Sequence, residues 1–283
     1  MPLIDVKELE TMSPLFRGRG GNTLANGLMR MLKIQAVNDL YDRYPDSIGP
    51  DFAGKILEDI GITPQLHFAD EKVKNLDEIV PEGPFITISN HPCGHIDGIA
   101  LIDIFGHLRP DYKVMVNEIL ARIENMNCSF ITVTPTGNTK TAATASSIGG
   151  VREALQHLTD GHPLGFFPAG AVSDFSLRTM KVADRIWQEP LVRLIRKARV
   201  PIIPVRFCDG NSPFYYSLGL IDWRVRLLRL PSEVFNKKGK PFRICVGNPI
   251  SVSRQDEFGS DINEFSKLLR SSVYDRFATF TDS

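Results

Sequence analysis

The sequence predicts an α/β fold: a mostly parallel mixed sheet flanked by helices, with a helical N-terminal extension. Three observations carry this. Seven short β-branched and aromatic runs recur from residue 65 onward. Segments of helical periodicity lie between several of them, an alternation that argues for parallel strands joined by crossover helices. The first 60 residues, by contrast, show only helical spacing.

Taken in order, residues 11–22 are rich in Gly and Arg and read as a flexible lead-in. Leu24, Leu28, Met31, Leu32 and Gln35-Ala36 then recur at helical spacing. Asp51 is placed as an N-cap before Phe52, Ile56 and Ile60, and Gly61 as the stop. This divides the chain into an N-terminal helical region, 1–64, and a larger domain, 65–283. The strands are expected at 65–68, 85–89, 113–116, 130–133, 164–167, 202–207 and 242–246. Helices are expected at 146–158, with Ile148, Val151, Leu155 and Leu158 on one face, at 190–197 and at 262–277.

Composition sets the class. The chain has 283 residues, 42% hydrophobic and 23% charged, which is ordinary for a soluble globular protein. Net charge is zero, yet residues 178–243 carry fifteen Lys/Arg against five Asp/Glu. Such a surplus attracts phosphate or anionic lipid, or is simply a solvated face. No nucleic-acid partner is expected. Cys93, Cys128, Cys208 and Cys245 are widely separated, without a Cys-x-x-Cys pair, so reduced thiols in the cytoplasm are expected. The N-terminus has acids where a signal peptide needs an apolar run. No apolar stretch approaches the ~20 residues that span a bilayer, so membrane contact is expected to be peripheral.

The most informative stretch is Ser89-Asn90-His91-Pro92-Cys93-Gly94-His95-Ile96-Asp97-Gly98. It follows a buried strand, breaks it with Pro92 and Gly94, and leads into an apolar helix. That puts His91 and Asp97 at a strand end, where ligands collect in open α/β sheets. A histidine held by a carboxylate is a general base near neutral pH. A second strand ends in Phe167-Pro168-Ala169-Gly170-Ala171-Val172, whose glycine turn can aim backbone N–H groups at a ligand oxygen. A third begins Val200-Pro201-Ile202-Ile203-Pro204-Val205. Thr136-Gly-Asn-Thr-Lys-Thr141 does not have the spacing of a phosphate-binding P-loop.

Asn-His-x5-Asp, Phe-Pro-x-Gly and Val-Pro-Ile-Ile-Pro-Val, in this order, resemble the glycerolipid acyltransferase superfamily, over roughly residues 65–250. The wording of the first motif is similar to the hemolysin-related branch, which includes acyltransferases of bacterial amino-acid lipids. The resemblance implies catalysis by His91 and Asp97 without an acyl-enzyme, on an acyl carrier protein or coenzyme A thioester and a lysolipid hydroxyl. It implies no further cofactor and no metal. Substrate contacts are implied for Asn90, Gly94, Phe167, Pro168, Ala169 and Gly170. They are also implied for Asn117 and Glu118, where the family has a Lys-x-Glu element. Backbone N–H groups near Gly170 are the expected oxyanion donors. A location on the inner face of the cytoplasmic membrane is implied, against an anionic lipid surface.

Two departures bear on the acceptor. The commoner family motif is one residue shorter between His and Asp. And Ala171-Val172 stands where relatives have Thr-Arg, the basic residue associated with an acceptor phosphate. An acceptor without a phosphomonoester is therefore expected, with lysophosphatidic acid as the alternative; Arg178, Lys181 or Arg206 are possible substitutes for the missing arginine. His95, four residues after His91, leaves open a metal-dependent hydrolase built on His91, His95 and Asp97. Residues 214–229, aromatic and apolar with Arg224, Arg226 and Arg229, read either as an interfacial segment or as a core element with snorkelling arginines. The helix from Leu24 is a second interfacial candidate.

Overall fold

The structure, a computed structural model, describes residues 17–133, 145–221, 223–275 and 277. The 136–141 stretch, residues 11–16 of the lead-in, and the side chains of Leu24, Leu28, Met31 and Arg224 lie outside the described residues.

Among the described residues three helices lead: α1 (Gly18–Met31), α2 (Ile34–Tyr41) and α3 (Gly49–Ile60). The α/β part follows: β1 (Pro64–Phe68), β2 (Ile86–Ser89), α4 (His95–Leu108), β3 (Lys113–Asn117), β4 (Phe130–Val133), α5 (Ala145–Thr159) and β5 (Leu164–Phe166). A two-stranded hairpin, β6 (Asp174–Ser176) with β7 (Lys181–Ala183), stands apart. Then come α6 (Glu189–Ala198), β8 (Ile202–Phe207), α7 (Pro213–Ile221), α8 (Trp223–Phe235), β9 (Phe242–Val246), α9 (Val252–Asp256) and α10 (Ile262–Tyr274). Seven strands form one sheet in the order β1-β9-β8-β2-β5-β3-β4. All pairings are parallel except β8 with β9. Every strand expected from the sequence is in this sheet.

Period-two alternation divides each strand between two cores. Phe85, Val114, Val116, Ile203, Val205 and Phe207 face α2, α3 and α4. Ile86, Ile88, Met115, Leu164, Phe166 and Ile202 face α5, α6 and α10. The N-terminal helices are part of the first core, through Val37, Leu40, Phe52, Ile56 and Ile60.

Four local expectations change. The single helix from Leu24 breaks at Lys33, which is left-handed at φ 57°, and Gly18 to Asn22 of the lead-in are helical. Helix α3 starts at Gly49-Pro50 with Ile48 as cap, so Asp51 lies in the first turn; Gly61 ends it at φ 77° as expected. Helix α10 stops at Tyr274, short of Phe277. In α5 the inward face runs through Gly150, Ala154 and Leu158, leaving Ile148 and Val151 exposed. Close packing is the reason: a Cβ on Gly150 would sit 2.5 Å from the Thr132 carbonyl oxygen, so only the small-residue side of the helix fits against β4.

Candidate active site

The site forms at the C-terminal end of β2, near the middle of the sheet. The strand ends at Ser89, and Asn90 fixes its position. Its Nδ2 donates to the Phe207 carbonyl at 2.9 Å, and its Oδ1 accepts from the Phe207 N–H at 2.8 Å. Both polar atoms of this buried amide thus tie the end of β2 to the end of β8, so Asn90 positions the turn.

Gly94 then reverses the chain at φ 74°, ψ −141°, a combination open in practice to glycine alone. It is a conformational device: a Cβ there would lie 2.8 Å from Leu230 Cδ2. The turn delivers His95 as the first residue of α4 and Asp97 into its first turn. His91 Nδ1 lies 3.0 Å from Asp97 Oδ2, which also accepts the Cys93 N–H at 2.8 Å. The five-residue spacing therefore does bring the pair together.

Asp97 is fully buried. Burial pushes its pKa up, and His91, the Cys93 N–H and the Lys237 ammonium oppose that rise. With Nδ1 facing the carboxylate, Nε2 is the ring nitrogen turned away from Asp97. His95 is different. Its Nε2 is sealed from solvent without a partner, and burial, then the nearby His91 and Lys237, lower its pKa to about 4. Cys93 is buried, and burial raises its thiol pKa, which disfavours the thiolate. Among the described residues no three His, Cys, Asp or Glu side chains are gathered to hold a metal.

The second motif supplies the wall. The Phe167 ring centroid is 4.1 Å from that of His91, fixing the imidazole plane. Pro168 and Ala169 are buried, and their carbonyls accept from the Gln188 N–H and Nε2, at 2.8 and 3.4 Å. Gly170, at φ 63°, donates its N–H to the Phe167 carbonyl at 2.9 Å. That turn bond corrects the oxyanion expectation at Gly170 itself: its donor is already committed, and Pro168 has none. Asn117 and Glu118 are exposed at the end of β3, with β5 between them and β2. Asn117 Oδ1 caps the following turn through the Ile119 N–H.

Sequence reasoning missed Asp184. Its Oδ1 accepts both the His91 N–H at 3.1 Å and the Ser173 hydroxyl at 2.6 Å, and its Oδ2 accepts the Trp187 indole N–H at 3.1 Å. Ser173 in turn donates its N–H to the His91 carbonyl at 2.9 Å. The available signal was a lone acid between Asp174 and Glu189 in a basic stretch.

Arg226 also departs from the snorkelling reading. It is buried, donates to the Ser173 and Val172 carbonyls, lies over the Tyr215 ring, and pairs with Asp174. A guanidinium thus does reach the loop that lacks the family arginine, but with a carboxylate on it. Arg206 donates to the Tyr274 carbonyl, and Arg178 and Lys181 stand exposed on the β6–β7 hairpin.

With this geometry in view, the relatives are informative. A lyso-glycine lipid O-acyltransferase of Bacteroides thetaiotaomicron is 26% identical over 282 residues, covering 96% of this chain and 97% of that protein. A lyso-glycine lipid O-acyltransferase of Phocaeicola vulgatus is 26% identical over 238 residues, covering 81% and 78%. Among solved structures, the crystal structure of the 1-acyl-sn-glycerophosphate acyltransferase PlsC from Thermotoga maritima aligns with a TM-score of 0.46 at 14% identity. It covers 82% of this chain and 83% of that one. An acyltransferase family matches residues 52–278, a span that contains the His91 turn, the Phe167 loop and the Asp184 clamp. The chain belongs to that acyltransferase family, within the glycerolipid acyltransferase superfamily, and is an enzyme of that class.

Proposed function

We propose that this protein is a peripheral-membrane O-acyltransferase that moves a fatty acyl group from an acyl thioester to the hydroxyl of a lyso amino-acid lipid. The observation that carries the chemistry is the His91–Asp97 pair on the strand-end turn. His91 Nε2 takes the proton of the acceptor hydroxyl as its oxygen attacks the thioester carbonyl. Asp97 holds the imidazole tautomer and stabilises the imidazolium. The tetrahedral intermediate collapses, the C–S bond breaks, and the departing thiolate of acyl carrier protein or coenzyme A receives the proton from His91. No acyl-enzyme is needed.

The acceptor class is supported by the names of the two bacterial relatives and by the charge at the Ala171-Val172 loop. Arg226 is buried against this loop and shares the Asp174 carboxylate with Arg185, so a dianionic phosphomonoester there would compete with a carboxylate already in place. A lyso-glycine lipid carries a single carboxylate and no phosphate. The proposed place of action is the inner face of the cytoplasmic membrane, with peripheral attachment; no helix among the described residues is long and apolar enough to cross a membrane.

The test is a competition assay with one acyl donor and equal lyso-glycine lipid and lysophosphatidic acid. The lyso-glycine lipid is expected to be acylated faster, and His91→Ala to lose about 10²–10⁴-fold in turnover. Preference for lysophosphatidic acid, or near-wild-type turnover by His91→Ala, overturns the proposal.

A further inference from the structure

Two neighbouring elements expose apolar side chains that the sheet does not need. At the tip of the β6–β7 hairpin, Leu177 is 65% and Met180 69% exposed, and beyond β7 Ile186 is 92% exposed. On α7, Phe214, Leu220 and Ile221 are exposed, Ile221 by 81%. Helix α7 carries no charged residue along its length. It packs against β6, where Phe175 joins Val172, Tyr215, Tyr216 and Leu230 in one buried cluster. The hairpin and α7 therefore move as one body.

Charge chooses the occupant. The hairpin tip, residues 177–182, presents Arg178 and Lys181, both exposed, and no acid. The two acids of this segment are already engaged. Asp184 is buried under His91, and Asp174 pairs with Arg226 and Arg185. A projecting surface of Leu, Met, Ile and Phe interleaved with uncompensated cations is complementary to the headgroup and acyl boundary of an anionic bilayer. A soluble partner would have to match the same cations and apolar side chains with a fixed surface, which a fluid lipid layer does not.

We infer that the β6–β7 hairpin and α7 together form the membrane-docking surface of this enzyme, taking an anionic lipid bilayer as partner. The inference rests on the lysolipid reading above and specifies how the protein meets that substrate. Its functional content lies in the stems of the hairpin. Ser173, just before β6, donates to the His91 carbonyl, and Asp184, just after β7, accepts from the His91 N–H. The segment that meets lipid is thus bonded on both sides to the catalytic residue. Docking sets the height of His91 above the bilayer, where an acceptor hydroxyl emerges while its acyl chain stays in the membrane.

The experiment is vesicle flotation with phosphatidylglycerol-containing and with pure phosphatidylcholine vesicles. Two variants are compared with the wild type, L177D/M180D/I186D and R178E/K181E, alongside a control on exposed α5 residues, I148D/V151D. The wild type and the control are expected to float with anionic vesicles. Each hairpin variant is expected to lose binding at least about tenfold. Turnover of a short-chain, monomeric lyso-glycine lipid is expected to remain within about twofold for the charge-reversal variant, while turnover of vesicle-embedded acceptor falls with binding. Undiminished flotation of both hairpin variants overturns the inference. So does a shift from dimer to monomer in the hairpin variants with flotation unchanged, which would make this face a self-association surface. If the wild type acylates no lyso-glycine lipid in either form, the functional proposal fails, while flotation still decides the docking surface.

Discussion

His91 is held by the Asp97 carboxylate at Nδ1, by Asp184 at its N–H, by Ser173 at its carbonyl, and by the Phe167 ring against its face. The first was legible, because motif spacing put a carboxylate six residues after a histidine at the end of a buried strand; the Phe167 contact was not, since that residue was expected only to touch substrate. Asp184 was not: its one signal is a lone acid in a basic stretch, and that does not say that its partner is the His91 N–H rather than a charged side chain. The same residue scale yields a pH prediction at His95. In the unfolded chain it titrates near its ordinary 6.5, and in the folded chain it stays neutral down to about 4. The unfolded state therefore binds the extra proton between these values. His95 contributes stability that is complete above pH 6.5 and is lost as pH falls through 4. Urea melts of the wild type and His95→Leu across pH 7.5 to 4.5 are expected to diverge. The wild type should fall more steeply, by up to about 1.4 kcal/mol per pH unit for the one proton. Parallel curves would show that His95 does not titrate in this window. Comparing the two proteins cancels the contribution of Asp97, whose raised pKa is common to both.

At the scale of elements, the strands were readable and the helix faces less so. Each central strand is a short run of Ile, Val and Phe bounded by Pro or Gly, and both faces are buried, so no register choice could mislead. Helix α5 was misread because the residues that pack inward, Gly150 and Ala154, are small, while the conspicuous Ile148 and Val151 face outward. The β6–β7 hairpin escaped notice since three-residue strands leave no periodicity to detect. The turn between β2 and α4 supports a sharper prediction. Gly94→Ala must either hold an alanine in a glycine-only conformation or rotate the turn, and its Cβ meets Leu230 as well. A stability loss of about 1–3 kcal/mol is expected, and kcat should fall because Asp97 leaves its register with His91. Thermal melts and steady-state kinetics check this. An unchanged kcat would mean that the turn geometry does not set the His91–Asp97 distance.

At the scale of the whole molecule, the helical N-terminal region and the sheet share one core. Phe52, Ile56, Leu57 and Ile60 are buried against the residues that carry α4 and the sheet. Fully exposing each such side chain forfeits about 1.5–3 kcal/mol, and several together approach the entire 5–15 kcal/mol stability of a typical domain. A fragment of residues 65–283 is therefore expected to be insoluble or to lack a cooperative melt, and circular dichroism with thermal denaturation would show it. A soluble, cooperatively melting fragment would mean that the sheet closes its core without these helices. The sequence boundary at 64 marks where strands begin rather than where packing ends, because periodicity reports secondary structure and not which faces meet.

The clamps on the His91 turn have a consequence for how the enzyme is made. His91 is bonded to Asp184, 93 residues away, and its neighbour Asn90 to Phe207, 117 residues away. Contacts so distant in sequence form late, after the loop-closure entropy of the intervening chain has been overcome. During translation, a nascent chain that has displayed the His-Asp motif still lacks the residues that hold it in place. The hairpin between Ser173 and Asp184 emerges with Asp184 itself, ahead of Phe207. The clamp on the His91 turn and the exposed hairpin are therefore completed together, and a chain that stops short of Asp184 has no partner for the His91 N–H.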